Sequence, residues 1–83
     1  MHHQYRPRGT CSIAIDFDLV DGTLHNVRFT GGCDGNLKAI GTLVEGRQAS
    51  DVAALLRGNT CGGKPTSCAD QLARAILEAE KSE

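Results

Sequence analysis

The sequence predicts an α+β domain in which a short antiparallel sheet packs against about three helices. Three observations carry that expectation. Residues 10–18 alternate apolar and polar side chains, which is the period of a half-buried strand. Asp21-Gly22 follows, a strong hairpin turn signal. Beyond residue 34 the apolar residues recur at helical spacing up to the end of the chain.

Residues 1–8 read as a flexible N-terminal arm, and residues 9–83 as the single domain. Met1 to Arg8 has no apolar stretch, so neither a leader nor a membrane span is expected and a cytoplasmic location is. His2 and His3 are not expected to be ligands, because chain ends are usually poorly ordered.

In the first strand Cys11, Ile13, Ile15 and Phe17 fall on one side, and Ser12, Ala14, Asp16 and Asp18 on the other. Leu24 to Thr30 returns as the second strand. Continuing its phase puts His25 with Val27 and Phe29, as an edge histidine more than a general base. Gly31-Gly32 ends the strand. A helix is expected over 34–45, with an apolar stripe of Leu37, Ile40, Leu43 and Val44, a cap from Asp34 or Asn36, and a stop at Gly46. A shorter helix follows with Ser50 or Asp51 near its start, stripe Val52, Leu55 and Leu56, and Gly58 just past its end. The last helix is expected over 67–81. Cys68, Leu72, Ala75, Ile76 and Ala79 share its buried face, and Ser67 with Asp70 resembles a capping box.

Composition narrows the function. The chain has 83 residues, only 4% aromatic residues and no Trp, so its core is modest and a stabilising metal would help. Nine basic residues against ten acidic ones, with no basic stripe, argue against nucleic acid as the primary partner. No Ser-His-Asp set or catalytic carboxylate pair is legible, so the chain is not expected to be an enzyme by itself. Gly31 to Gly35 lacks the Lys-Ser/Thr of a phosphate loop, and Gly62-Gly63-Lys64 reads as a turn with a solvated lysine.

The chemistry rests on four cysteines, Cys11, Cys33, Cys61 and Cys68, each beside glycine or a small hydroxyl residue. In an antiparallel hairpin, the start of the first strand and the end of the second are neighbours, which brings Cys11 toward Cys33. Cys61 and Cys68 flank the start of the last helix. A thiol there meets the positive end of the helix dipole, which favours the thiolate that binds metal. No Cys-x-x-Cys knuckle is present, so spacing alone leaves several readings open: tetrahedral zinc, an iron–sulfur cluster with Asp34 or Asp70 completing the set, disulfides, a dithiol redox pair, or small buried residues. A cytosolic location counts against disulfides.

The residues also resemble a known family. Thr66-Ser67-Cys68-Ala69-Asp70 is similar to the Thr-Ser-Cys-Pro-Asp motif of the TSCPD domain, with Ala69 in place of proline. The likeness takes in Gly9-Thr10-Cys11-Ser12, the run from Asn26 to Leu37 through Gly31-Gly32-Cys33, Val44-Glu45-Gly46, and Cys61-Gly62 through Ala73. The resemblance implies a metal-binding module, with Zn²⁺ held by Cys11, Cys33, Cys61 and Cys68. Related domains form the C-terminal part of cobalamin-dependent ribonucleotide reductases, so the implied partner is such a reductase and the implied role accessory. Such a reductase needs a barrel, a radical generator and a nucleotide site, none of which fits in 83 residues. A second similarity, to the U-type iron–sulfur scaffold proteins, implies the same sheet-on-helices architecture and offers an iron–sulfur cluster as the alternative cargo. The additional thiol of Cys11 favours a closed four-thiolate site.

Overall fold

The computed structural model describes residues 2–7, 12–31, 34–59 and 66–82. Its elements run β1 (His2–Tyr5), β2 (Ser12–Val20), β3 (Thr23–Gly31), α1 (Asp34–Val44), α2 (Ala49–Leu56) and α3 (Cys68–Ser82). The strands form an antiparallel sheet in the order β1-β2-β3. This is the expected α+β arrangement of a sheet with three helices.

The β2–β3 hairpin turns on Asp21 and Gly22, with φ of 51° and 78°. Positive φ at both central residues is the type I′ geometry, whose twist matches that of the flanking strands. Leu19 pairs with Leu24 and Ile15 with Phe29, and Ile15, Phe17, Leu19, Leu24 and Val27 are buried. Between those pairs the register shifts. Asp16 faces Arg28 but Asp18 faces His25, so β3 carries one extra residue, and Asn26 there has a φ of 55°. This β-bulge reverses the alternation. His25 therefore lies on the face of Asp18, opposite the core, and not in phase with Val27 and Phe29 as the unbroken pattern predicts.

Residues 2–5, which the sequence pattern assigns to an arm, form the edge strand β1. His2 pairs with Asp18, His3 with Phe17, Gln4 with Asp16 and Tyr5 with Ile15. The His3 ring stacks on Phe17 with centroids 5.6 Å apart, and Tyr5 packs against the core. The strand is polar on its own; what it pairs with decides its conformation.

The helices cover the inner face. Leu72, Ala75, Ile76 and Ala79 of α3 are buried, as the pattern predicts, whereas Cys68 is half-buried; with Ala73 the four join Ala49, Val52 and Ala53 of α2 in one cluster with the sheet. α1 packs on β3. Two expected core residues are on the surface, Leu43 at 66% exposure and Leu55 at 76%. α1 meets the sheet along Leu37, Gly41 and Val44, and α2 packs along Ala49, Val52, Ala53 and Leu56. Leu43 and Leu55 lie off those lines.

The joint between α1 and α2 is fastened to the hairpin tip. Leu24 N–H donates to the Arg47 carbonyl at 2.9 Å and Gly46 N–H to the Leu24 carbonyl at 2.8 Å. Ala49 N–H donates to the Gly22 carbonyl at 2.8 Å. The first free amide of α2 is thus satisfied by the turn, while Gln48, its N-cap, makes no side-chain cap bond. Ser50 and Asp51 lie in the first turn, near the helix start as expected.

Candidate functional site

Of the four cysteines, Cys68 lies within the described residues. It is half-buried and opens α3. Cys11, Cys33 and Cys61 lie outside the described residues. The described positions nearest to two of them do meet: Ser12, next to Cys11 in the chain, pairs with Gly31, two residues before Cys33. α1 starts at Asp34, immediately after Cys33. Among the described residues, no group of three or more His, Cys, Asp or Glu is arranged to hold a metal ion.

The start of α3 is built from short polar side chains. Ser67 is its N-cap: its hydroxyl oxygen accepts the Asp70 amide at 3.1 Å, and its hydroxyl donates to the Asn59 carbonyl. The capping box expected from Ser67 and Asp70 is half formed. Asp70 does not turn back to Ser67. Its Oδ1 accepts the Gly58 amide at 2.7 Å, and its Oδ2 accepts the Thr66 hydroxyl and Arg74 Nε, the latter at 3.0 Å. Gln71 Nε2 in turn donates to Thr66 Oγ1 at 3.0 Å. Thr66, Ser67, Asp70 and Gln71 are all buried, with Asp70 at 1% exposure. No buried side-chain nitrogen or oxygen among the described residues lacks a partner.

Burial by itself pushes the Asp70 carboxyl up. The hydrogen bonds from Thr66, Gly58 and Arg74 outweigh it and hold the group below the usual carboxylate range. A carboxylate with both oxygens committed in this way is poorly placed to complete a metal site. The reading of Asp70 as a cluster ligand gives way to one in which it ties two segments together. The link from Asp70 to Gly58 spans twelve residues. It carries no sequence signal beyond an acidic residue following Thr66-Ser67.

A second polar group lies on the outer face of the sheet. His2 Nδ1 contacts Asp18 Oδ1 at 2.9 Å, and His2 Nε2 contacts Asp16 Oδ1 at 3.3 Å. Gln4 Nε2 donates to Asp16 at 3.1 Å, and Asn26 Nδ2 to Asp18 at 3.0 Å. Glu45 accepts the Asn26 amide at 2.9 Å and contacts His25 Nδ1 at 2.7 Å. The Asp18 hydrogen bond raises the His2 pKa above the ordinary imidazole value, opposed in part by desolvation and helped by Asp16. These contacts hold β1 and the bulge in place, with His25 as a partner of Glu45.

A groove of about 550 Å³ runs between β3 and α1, lined by Val27, Phe29, Leu37, Arg28 and Lys38 among others. Its described lining contains no cysteine. No helix among the described residues is long and apolar enough to cross a membrane.

The family model of the TSCPD domain matches residues 1–80 of the chain. No curated protein and no solved structure matches it.

Proposed function

The chain belongs to the TSCPD domain family, and from that premise we propose that it is a small metal-binding module holding one zinc ion through the thiolates of Cys11, Cys33, Cys61 and Cys68. The observation that carries the reading is the position of Cys68. It opens α3, half-buried, within the run Thr66-Ser67-Cys68-Ala69-Asp70, which lies inside the residues matched by the family model. A thiolate at that position is matched to the positive end of the helix. The donor chemistry fits the ion: four thiolates suit tetrahedral zinc, each about 2.3 Å from the metal. Zinc bound in this way closes distant parts of the chain around one point, and in a domain with so few large aromatics that closure contributes folding energy. When bound, the ion supplies cross-linking and no redox chemistry.

Metal analysis of the purified chain tests the proposal. One zinc per chain is expected, with the four thiols shielded from a thiol reagent until a chelator is added. Less than about half an equivalent of metal, with four thiols reacting freely in the native fold, removes the reading. A brown protein with visible absorbance replaces zinc by an iron–sulfur cluster on the same ligands.

A further inference from the structure

The groove between β3 and α1 arises where two periodicities run side by side. On β3, Asn26 bonds to Asp18 and Arg28 is paired with Asp16, so both stand on the outer face of the sheet. On α1, Lys38, Thr42 and Glu45 follow one another at helical spacing, one step round from Leu37 and Gly41, which meet the sheet. The result is a trough of about 550 Å³ with exposed polar walls, whose apolar lining comes from buried Val27 and Leu37 and half-buried Phe29. Small-molecule sites have volumes of about 300–1,000 Å³ and combine such an apolar lining with a few polar groups. The two ends of the trough differ in charge. Glu45 accepts the Asn26 amide at 2.9 Å and Gly41 lies against the Val27 carbonyl, so α1 and β3 run in opposite directions and Lys38 falls toward Arg28. The two cations are thus gathered at one end, two helical turns, roughly 10 Å, from Glu45. The Asn26 amide, and then His25, hold the Glu45 carboxyl below the usual carboxylate range, so the other end stays anionic. Asp16, opposite Arg28, is engaged from the β1 side by His2 and Gln4. Within the lining, Arg28 and Lys38 against Glu45 leave one positive charge in excess.

We propose that this groove binds a small amphipathic monocarboxylate, its apolar chain laid along Val27, Leu37 and Phe29 and its single carboxylate held by Arg28 and Lys38. The guanidinium presents a fork that matches a carboxylate. The apolar lining selects against ligands that are polar throughout, and Glu45 selects against a second negative charge at the far end. A phosphate monoester brings close to two charges where the lining has one to match. An extended protein strand is a poorer occupant, because the Val27 carbonyl that it would pair with is already covered by α1. The proposal uses no cysteine and does not rest on the metal-binding reading.

The test uses the full chain as purified and follows its amide NMR spectrum during titration with three probes. These are octanoate, suberate, which carries a carboxylate at both ends, and octylammonium. Octanoate is expected to shift the amides of Val27, Phe29, Gly41 and Thr42 to saturation. Suberate is expected to bind about tenfold more weakly because its far carboxylate meets Glu45, and octylammonium at least as poorly because its charge meets Arg28 and Lys38. Glu45→Gln should narrow the gap between suberate and octanoate to about threefold, a change that a merely structural glutamate would not produce. Arg28→Gln and Lys38→Gln should each weaken octanoate about two- to fivefold, the range for exposed ion pairs. Thr42→Phe fills the trough from an exposed position and should abolish binding. Circular dichroism reports whether that variant is folded, and if it is not, the two glutamine variants decide. A folded wild type whose groove amides do not move with octanoate overturns the proposal, as does equal binding of the three probes. Wild-type affinity in both glutamine variants, or octanoate binding that survives a folded Thr42→Phe, overturns it as well.

Discussion

A methyl group on Gly41 would stand 2.7 Å from the carbonyl oxygen of Val27. The contact is backbone on one side and helix on the other, so neither can turn away. α1 approaches the edge of β3 this closely because position 41 has no side chain.

Gly41→Ala is therefore expected to destabilise the fold, although alanine is ordinarily better in a helix by about 1 kcal/mol. Overpacking costs about 1–3 kcal/mol, and at 2.7 Å from a backbone oxygen the upper half of that range applies, which leaves a net loss of roughly 1–2 kcal/mol. At Gly35 in the same helix, an added methyl would meet nothing within 4 Å. Gly35→Ala is the control and should gain up to about 1 kcal/mol. In thermal melts the two variants should move in opposite directions, each by several degrees for a chain of this size (roughly 4–8 °C per kcal/mol). Equal shifts for the two would dismiss the close approach.

Asp70→Ala strands the Gly58 amide and the Thr66 hydroxyl, while Arg74, itself 57% exposed, turns to solvent. The Thr66 hydroxyl is buried and the Gly58 amide part-buried, so at about 1–3 kcal/mol for a fully buried donor a loss of roughly 2–3 kcal/mol is expected, measurable by urea unfolding. The carboxyl is held below its ordinary range, so its contribution is present above the unfolded pKa and is lost as pH falls through the lower folded value. The wild type should lose stability in acid more steeply than Asp70→Ala. Parallel acid profiles for the two proteins would rule this out.

The His2 contacts predict the opposite pH dependence at the other end of the molecule. Its pKa is raised, so the contribution of the imidazolium is complete below the unfolded value and fades as pH rises through the folded one. The groups facing it are Asp18 and Asp16 on β2, Gln4 on its own strand, and, across β2, His25 and Arg28. An NMR titration should show the His2 ring titrating above an ordinary imidazole, with amide exchange in β1 quickening as it does. Asp18→Asn should bring that titration back down. An unshifted His2 in the wild type would refute the clamp.

Asn26 sits at the bulge with a φ of 55°, and its side chain donates to Asp18. Asn26→Gly keeps the backbone freedom and loses the hydrogen bond, whereas Asn26→Ala loses both. Denaturant unfolding should rank the wild type first, glycine next and alanine last. The alanine variant should be lower by about 1–2 kcal/mol, the cost of a left-handed conformation for an ordinary side chain. Alanine ranking above glycine would contradict the bulge.

Most of the scaffold is legible in the sequence because its signals are local. Asp21-Gly22 declares the turn, and Leu72, Ala75, Ile76 and Ala79 declare the inner face of α3. The departures are places where a distant partner decides. His2 to Tyr5 has no strand pattern of its own and is ordered by Asp16, Phe17 and Asp18. Asn26 looks like any other residue in a polar-apolar run, yet its bulge moves His25 to the opposite face. Leu43 and Leu55 satisfy helical spacing, but the neighbours of α1 and α2 occupy other lines. At the candidate site, Ser67 is readable as a cap from its place before an apolar helix. The engagement of Asp70 with Gly58 is not, because the bond joins positions that share no periodicity.

The fastening of the α1–α2 joint to the hairpin tip has a consequence for assembly. Along the outer side of β3, Leu24 is already hydrogen-bonded to Gly46 and Arg47, and the Val27 carbonyl is faced by Gly41. A sheet grows into fibres when each added chain offers a fresh edge to the next. Here the opposite edge is β1, four residues long. At the Leu24 end of β3, the joint that orients two helices also takes up the amide and carbonyl that a further strand would need to pair there.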